Sequence, residues 1–225
     1  MNIPAEHVDA LVRLGYTREE GRFIHMVAIH SGYFTHRQFL RFADIQRGKH
    51  SQKFLEKLLL HKHAAPHTYQ SGERVYHVFS RKVFHSIGHD NLRTRRKHQL
   101  DYIKTRLMAL DFVLSNQAHH YLETEAEKVP FFVERLGVSR LVLPSRVYTS
   151  MASSRSTTRY FVDRFPLYIK DGSPSSPVVT FTYLDPGFAT LQGFTSHLRS
   201  YTGLFQSLRE FHLVYVATSD HGFQA

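Results

Sequence analysis

The chain of 225 residues contains no cysteine. That excludes disulfide scaffolds, cysteine-based zinc sites, iron–sulfur clusters and thiol catalysis. No segment runs for about 18 residues without a charge, the length a membrane-spanning helix needs, so no membrane span is expected. The opening MNIPAEHVDA lacks a basic stretch followed by an apolar run. No signal peptide is therefore expected, and the cytoplasm is the expected compartment. Walker-type glycine loops, G-x-S-x-G and H-E-x-x-H are all missing, which removes the commonest phosphate-cradle, hydrolase and zinc-protease signatures. Acidic residues are scarce in one place in particular. Residues 1–110 carry 9 Asp+Glu against 19 Lys+Arg, whereas residues 111–225 carry 10 of each.

The formal net charge of +10 thus resides entirely in the first half. Such asymmetry suggests a basic binding module joined to a neutral one. A basic field attracts polyanions, and nucleic acid is the commonest of these, although a merely solvated basic surface would have the same composition. With 42% apolar residues, 18 Phe and 12 Tyr, there is ample material for a core. The length fits one large domain or two small ones.

Patterning in the first half predicts short helices and then a hairpin. Residues 1–16 are weakly patterned, with at most a short helix near Val8–Leu14. Thr17 with Glu20, and Thr35 with Gln38, are capping boxes, in which a hydroxyl caps one amide and an acid or amide side chain returns to another. Phe23, Ile24, Val27 and Ala28 follow the first box; Phe39, Leu40 and Ala43 follow the second. A third helix is expected from about Lys49 to His61, with Phe54, Leu55, Leu58 and Leu59 as its apolar stripe and Lys49, Lys53 and Lys57 on the far side. Two segments rich in Thr, Tyr, Val and Phe flank Ser71-Gly72 and read as a β-hairpin. The order is that of a winged helix-turn-helix domain, placed at 1–90. A basic hinge (residues 89–98) and an amphipathic helix then occupy 91–118. Leu100, Ile103, Leu107, Leu110 and Leu114 form a heptad-like seam on that helix, suited either to its own domain or to a homodimer.

Residues 119–225 read as mixed α/β. Thr124 with Glu127 caps a helix through Phe131 and Val133 to Leu136. A Ser/Thr-rich loop (Thr149–Thr158) precedes a strand at Arg159–Ile169, a turn at Asp171–Pro177 and a second strand at Val178–Leu184. Phe194, Leu198, Tyr201, Phe205 and Leu208 mark a helix, and Phe211–Ala217 a last strand. This succession requires at least one crossover helix. The expected fold class is α+β: an N-terminal winged helix-turn-helix domain followed by a small mixed α/β domain resembling a degenerate restriction-endonuclease-like core.

Three constellations bear on chemistry. In a helix-turn-helix the second helix enters the major groove. The candidate DNA-binding residues are accordingly Arg47, Lys49, His50, Ser51, Gln52, Lys53 and Lys57 on and before the third helix, Arg74 beside the hairpin turn, and Arg93, Arg95, Arg96 and Lys97 in the hinge. Lysines supply affinity through phosphates, while Gln52 can pair bidentately with adenine. Histidine is abundant, with His61, His63 and His67 in one cluster and His119 and His120 in another, yet no acidic residue lies within four positions of His63. No metal site and no cofactor are expected, and the histidines read as polar residues that add positive potential at low pH. A nuclease of the restriction-endonuclease type would place Asp163 on one strand and a Glu-x-Lys pair on the next. The next strand offers only Asp185, followed two residues later by Gly187, so no catalytic residue is assigned.

The segments GRFIHMVAIHSGYFTHRQFLRF, KFLEKLLLHKHAAPHTYQSGERVYHVF and RYFVDRFPLYI…PVVTFTYLD…FTSHLRSYTGLFQSLREFHLVYVATS resemble, in pattern, the replication-relaxation proteins of plasmids and integrative elements. The resemblance covers most of residues 17–218. It implies a double-stranded DNA-binding protein acting in replication, mobilisation or transcription control of a mobile element. Members often carry a carboxylate within the penultimate strand; here it is displaced to Asp185. The reading is of a non-enzymatic DNA-binding protein with no membrane association. The alternatives are an interaction adaptor that uses the winged helix on a protein, or a metal-dependent nuclease centred on Asp163.

Overall fold

A computed structural model describes residues 3–68, 74–149, 156–163, 165–170 and 177–218. The chain is α+β and divides into two units, Met1–Ala118 and His119–Ala225. No helix among the described residues is long and apolar enough to cross a membrane.

In the first unit, helix α1 (Ala5–Arg13) buries Val8 and Leu11, so the weakly patterned start is packed and helical. Both capping boxes form. Thr17 receives the Glu20 amide at 3.1 Å and the Glu20 carboxylate receives the Thr17 amide at 2.8 Å, which starts α2 (Arg18–His30). Thr35 and Gln38 exchange the same pair of bonds and start α3 (His36–Phe42), immediately after the short strand β1 (Tyr33–Thr35). Then come α4 (Lys49–Leu60), β2 (Ala64–Thr68), β3 (Arg74–Val78) and α5 (Arg81–Ser86). Residues 69–73, with the expected Ser71-Gly72 turn, lie outside the described residues. The strands form an antiparallel sheet in the order β1-β3-β2.

The pleat gives this sheet two faces with different partners. Phe34 and Tyr76 stack at 5.2 Å on one face, and Phe34 continues into a cluster of rings with Phe23, Phe39 and Phe54 from α2, α3 and α4. Tyr33 and Val75 lie on the other face, where they pack with Ile103 and Leu107 of α6 (Leu100–Ser115). Of the two roles open to the α6 seam, packing on its own unit is the one observed. Ile103, Leu110 and Leu114 are buried within this unit, and Leu107 packs against its sheet. The seam proposed for a homodimer is therefore consumed by the unit's own core, and of its five residues only Leu100, 44% exposed, is largely in solvent. Further bonds hold α6 down: Gln38 donates to the Leu107 carbonyl at 2.9 Å, and Arg106 donates to the carbonyl of His30.

The basic segment before α6 is likewise no free hinge. Thr94 is buried, donates to the Ala28 carbonyl at 2.7 Å, and receives the His77 ring on its own carbonyl at 3.1 Å. Gly32 (φ +81°) is required beneath it, because a Cβ there would stand 2.3 Å from the Thr94 carbonyl oxygen.

The second unit begins with β4 (His120–Tyr121) and α7 (Glu125–Pro130), capped by Thr124 and continued by a π-helical turn at Phe131–Arg135. Strands β5 (Ser145–Thr149) and β6 (Ser156–Tyr160) pair as an exposed antiparallel ribbon, so strands enter both ends of the expected Ser/Thr loop. The single strand expected over Arg159–Ile169 is broken. Phe161 takes φ 50° and stacks its buried ring on Phe132 at 5.3 Å, which turns the chain out of β6 before β7 (Leu167–Lys170) begins. Residues 171–176 of the expected turn lie outside the described residues. Strand β8 (Val178–Asp185), helix α8 (Leu191–Ser207) and strand β9 (Phe211–Ala217) follow. The sheet order is β4-β7-β8-β9; β8 and β9 are parallel, as a helical crossover between them demands. One face of this sheet, through Leu167, Val179 and Phe181, packs on Tyr201 and Leu204 of α8 and on Phe132.

Candidate nucleic-acid interface

Helix α4 has a sharp division of faces. Phe54, Leu55 and Leu58 are buried, with Phe54 stacked on Phe39 at 4.0 Å. At 100° per residue the opposite side presents Lys49, Gln52 and Lys53, all exposed, with His50 and Arg47 exposed at the N-terminal end. Glu56, also exposed, is the carboxylate one turn beyond Gln52. The helix N-terminus adds partial positive charge to the same end.

Ser51 does not belong to this face, contrary to the expectation. It is fully buried and serves as the cap: its Oγ receives the Gly48 amide at 3.2 Å and donates to the Gly48 carbonyl at 3.0 Å. Lys57 is also corrected. Its ammonium is bonded to the Glu20 carboxylate and to the Gly15 carbonyl at 3.1 Å, and it lies 5.4 Å from the centre of the Tyr16 ring. Lys57 closes the end of α4 against α2 and is not part of the outward stripe.

The other candidates divide in the same way. Arg74 is exposed at the start of β3; Arg93, Arg96 and Lys97 are exposed around the Thr94 anchor; Arg95 is half-buried. Arg37, on the first turn of α3, is exposed too and was not picked out by patterning. The adjacent His36 titrates below the ordinary histidine value because of burial and the nearby charge of Arg47. That proximity brings the start of α3 to the cationic end of α4.

Among the histidines, His50 and His61 are exposed and His67 is half-exposed. His63 is buried and shares a 2.6 Å hydrogen bond with the Tyr16 hydroxyl. Burial, with His61 and Lys82 close by, lowers its pKa, so it adds no charge at neutral pH. Burial together with the Glu20 charge raises the pKa of Tyr16.

In the second unit, Asp163 stands in the break after β6 and not on a strand. Its carboxylate receives the Tyr201 hydroxyl at 2.7 Å, lies 3.3 Å from His197 Nδ1, and receives the Phe165 amide at 3.3 Å. Burial works to raise its pKa, but His197 and Tyr201 outweigh that and hold it below the usual carboxylate value. Asp185 receives the amides of Gly187 and Ala189 at 2.8 and 3.0 Å and the Tyr215 hydroxyl at 2.6 Å. Both carboxylates are therefore engaged in bracing loops and helix ends. Among the described residues no group of three His, Asp or Glu side chains is arranged to hold a metal ion. No protein family, no curated protein and no solved structure matches the chain.

Proposed function

We propose that the chain is a double-stranded DNA-binding protein whose first unit is a winged helix-turn-helix, with α3 and α4 as the helix pair and β2–β3 as the wing. The observation that carries this reading is the outward face of α4. Arg47, Lys49, His50, Gln52 and Lys53 are all exposed, and that side contributes nothing to the unit's core. A cationic helix side with one amide suits phosphate contacts together with an adenine edge in the major groove. The second unit, read as a reduced nuclease-like core, serves assembly or recruitment, since Asp163 and Asp185 are occupied in bracing. The resemblance to replication-relaxation proteins supplies the setting: replication, mobilisation or transcription control of a mobile element.

The test is binding to duplex DNA followed by fluorescence anisotropy between 50 and 200 mM salt, roughly the range over which phosphate contacts are released. Three cations from Arg47, Lys49 and Lys53 give a slope of log K against log salt of about −3; adding Arg74, Arg93, Arg96 and Lys97 brings it to about −6. The slope thus reports whether the segment around Thr94 joins α4 on DNA. Absence of binding at low salt would refute the proposal and favour the adaptor reading.

A further inference from the structure

We infer that the face of the β4-β7-β8-β9 sheet opposite α8 carries a binding site for a nucleoside monophosphate. A cavity of about 540 Å³ opens there, lined among others by His119, Tyr168, Lys170, Thr180, His212 and Val214. That volume falls within the range of small-ligand sites. The strand register explains the grouping. Tyr168 of β7 pairs with Thr180 of β8, and Thr180 pairs with His212 of β9, so three side chains stand in a row across one face.

The lining is chemically specific. Thr180 is only 1% exposed, and among the described residues its hydroxyl has no hydrogen-bond partner. A buried hydroxyl in that state carries an uncompensated desolvation cost, which a ligand acceptor would remove. Lys170 supplies a cation at the end of β7, His212 supplies an exposed imidazole, and among the described residues no carboxylate lines the cavity. Those groups suit a phosphate. The His119 ring lies flat on Tyr168, with centroids 4.2 Å apart and planes within 3° of parallel. That pair is a platform on which a further flat ring can stack. Cation, hydroxyl and aromatic platform around one cavity together fit a phosphorylated nucleoside better than either half alone. None of these residues belongs to the proposed DNA face, so the site stands apart from that reading.

Isothermal titration of the full chain with AMP, adenosine and inorganic phosphate tests the site. AMP is expected to bind at one site, with adenosine and phosphate each at least about tenfold weaker, because each keeps only half the contacts. Thr180→Val preserves shape and removes the hydroxyl; with an unchanged circular dichroism spectrum it is expected to weaken AMP about tenfold, as is Lys170→Ala. Lys53→Ala is expected to leave AMP binding unchanged. No AMP binding at about 1 mM, phosphate as tight as AMP, or wild-type affinity in a folded Thr180→Val variant would each overturn the inference. Loss of AMP binding in Lys53→Ala would overturn it too, by placing the nucleotide on α4. Failure of the AMP titration with intact duplex binding sinks this inference alone.

Discussion

Replacing Lys57 by alanine separates charge that binds DNA from charge that holds the fold. The Lys57 side chain is 27% exposed, whereas its partner Glu20 is 3% exposed. Without the ammonium, the Glu20 carboxylate stays buried with the Thr17 amide as its remaining described hydrogen bond. Breaking a fully buried ion pair costs about 3–5 kcal/mol. Here water reaches the lysine position, so about 2 kcal/mol is the expected loss. For a unit of this size that corresponds to a melting temperature lower by roughly 6–12 °C. Lys53, on the exposed side of the same helix, is the control, with an expected change within about 0.5 kcal/mol on substitution by alanine. Urea and thermal unfolding followed by circular dichroism would measure both. Combining Lys57→Ala with Glu20→Gln should cost at least about 1 kcal/mol less than the sum of the two, since the stranded charge is gone. Equal, small effects of Lys53→Ala and Lys57→Ala, with no coupling to Glu20, would refute the assignment of Lys57 to the core. A drop in the DNA salt slope for Lys57→Ala, measured well below melting, would do the same from the other side.

Three further outcomes follow from the same geometry. Lys53→Ala should weaken duplex binding about equally for all sequences and lower the salt slope by about 1, as read by anisotropy. Burial holds the His77 pKa down at about 4 against an ordinary 6.5. The unfolded chain therefore takes up the proton first, and the first unit should lose stability as pH falls from 6.5 to 4, on the order of 3 kcal/mol in all, then level off; His77→Gln, which keeps a donor for the Thr94 carbonyl, should flatten that window in urea titrations. For Asp163, held below the ordinary 3.8, the stabilisation is present above that value and is lost as pH falls through the folded value. The stability gap between wild type and Asp163→Asn should accordingly be wider at pH 5 than at pH 3.

Local signals account for what the sequence made legible. Both capping boxes, the apolar stripe of α4 and the crossover helix α8 rest on contacts within a few residues, which spacing reveals directly. Tertiary choices were not legible. The seam of α6 has the same 3–4 spacing whether it meets a second chain or the Tyr33–Val75 face of its own sheet. The break at Phe161 falls inside a run of aromatic and β-branched residues, where its ring stacks on Phe132, a residue distant in sequence. Lys57 keeps the i, i+4 register of Lys49 and Lys53, yet its ammonium meets the buried carboxylate of Glu20 on α2. The Thr180 cavity leaves no trace in sequence, since its lining is assembled across neighbouring strands by register.

Those cases bear on how a net charge of +10 should be read. Several of the cations that make up the excess are used inside the first unit: Lys57 on Glu20, Arg106 on the carbonyl of His30, and Arg41 on the Ser115 hydroxyl at 2.9 Å. A cation used in this way is already paid for by the fold and contributes little to releasing counterions from DNA. The exposed cations gathered at the proposed face are Arg47, Lys49 and Lys53 at α4, Arg37 at the start of α3, Arg74 at β3, and Arg93, Arg96 and Lys97 around the buried Thr94, while others such as Arg13, Arg22, Lys62 and Lys104 are exposed on other elements of the unit. The backbone at the start of α4, at the start of α3 and around Thr94 is held by neutral groups, namely the Ser51 cap, the Thr35 box and the Thr94 bonds. Fixed backbone beneath long charged side chains is what a phosphate-contacting surface needs, because little backbone entropy is then lost on binding. The salt slope is therefore set by these residues and not by the total, which is why it discriminates between a chain that happens to be basic and one that is built to hold a duplex.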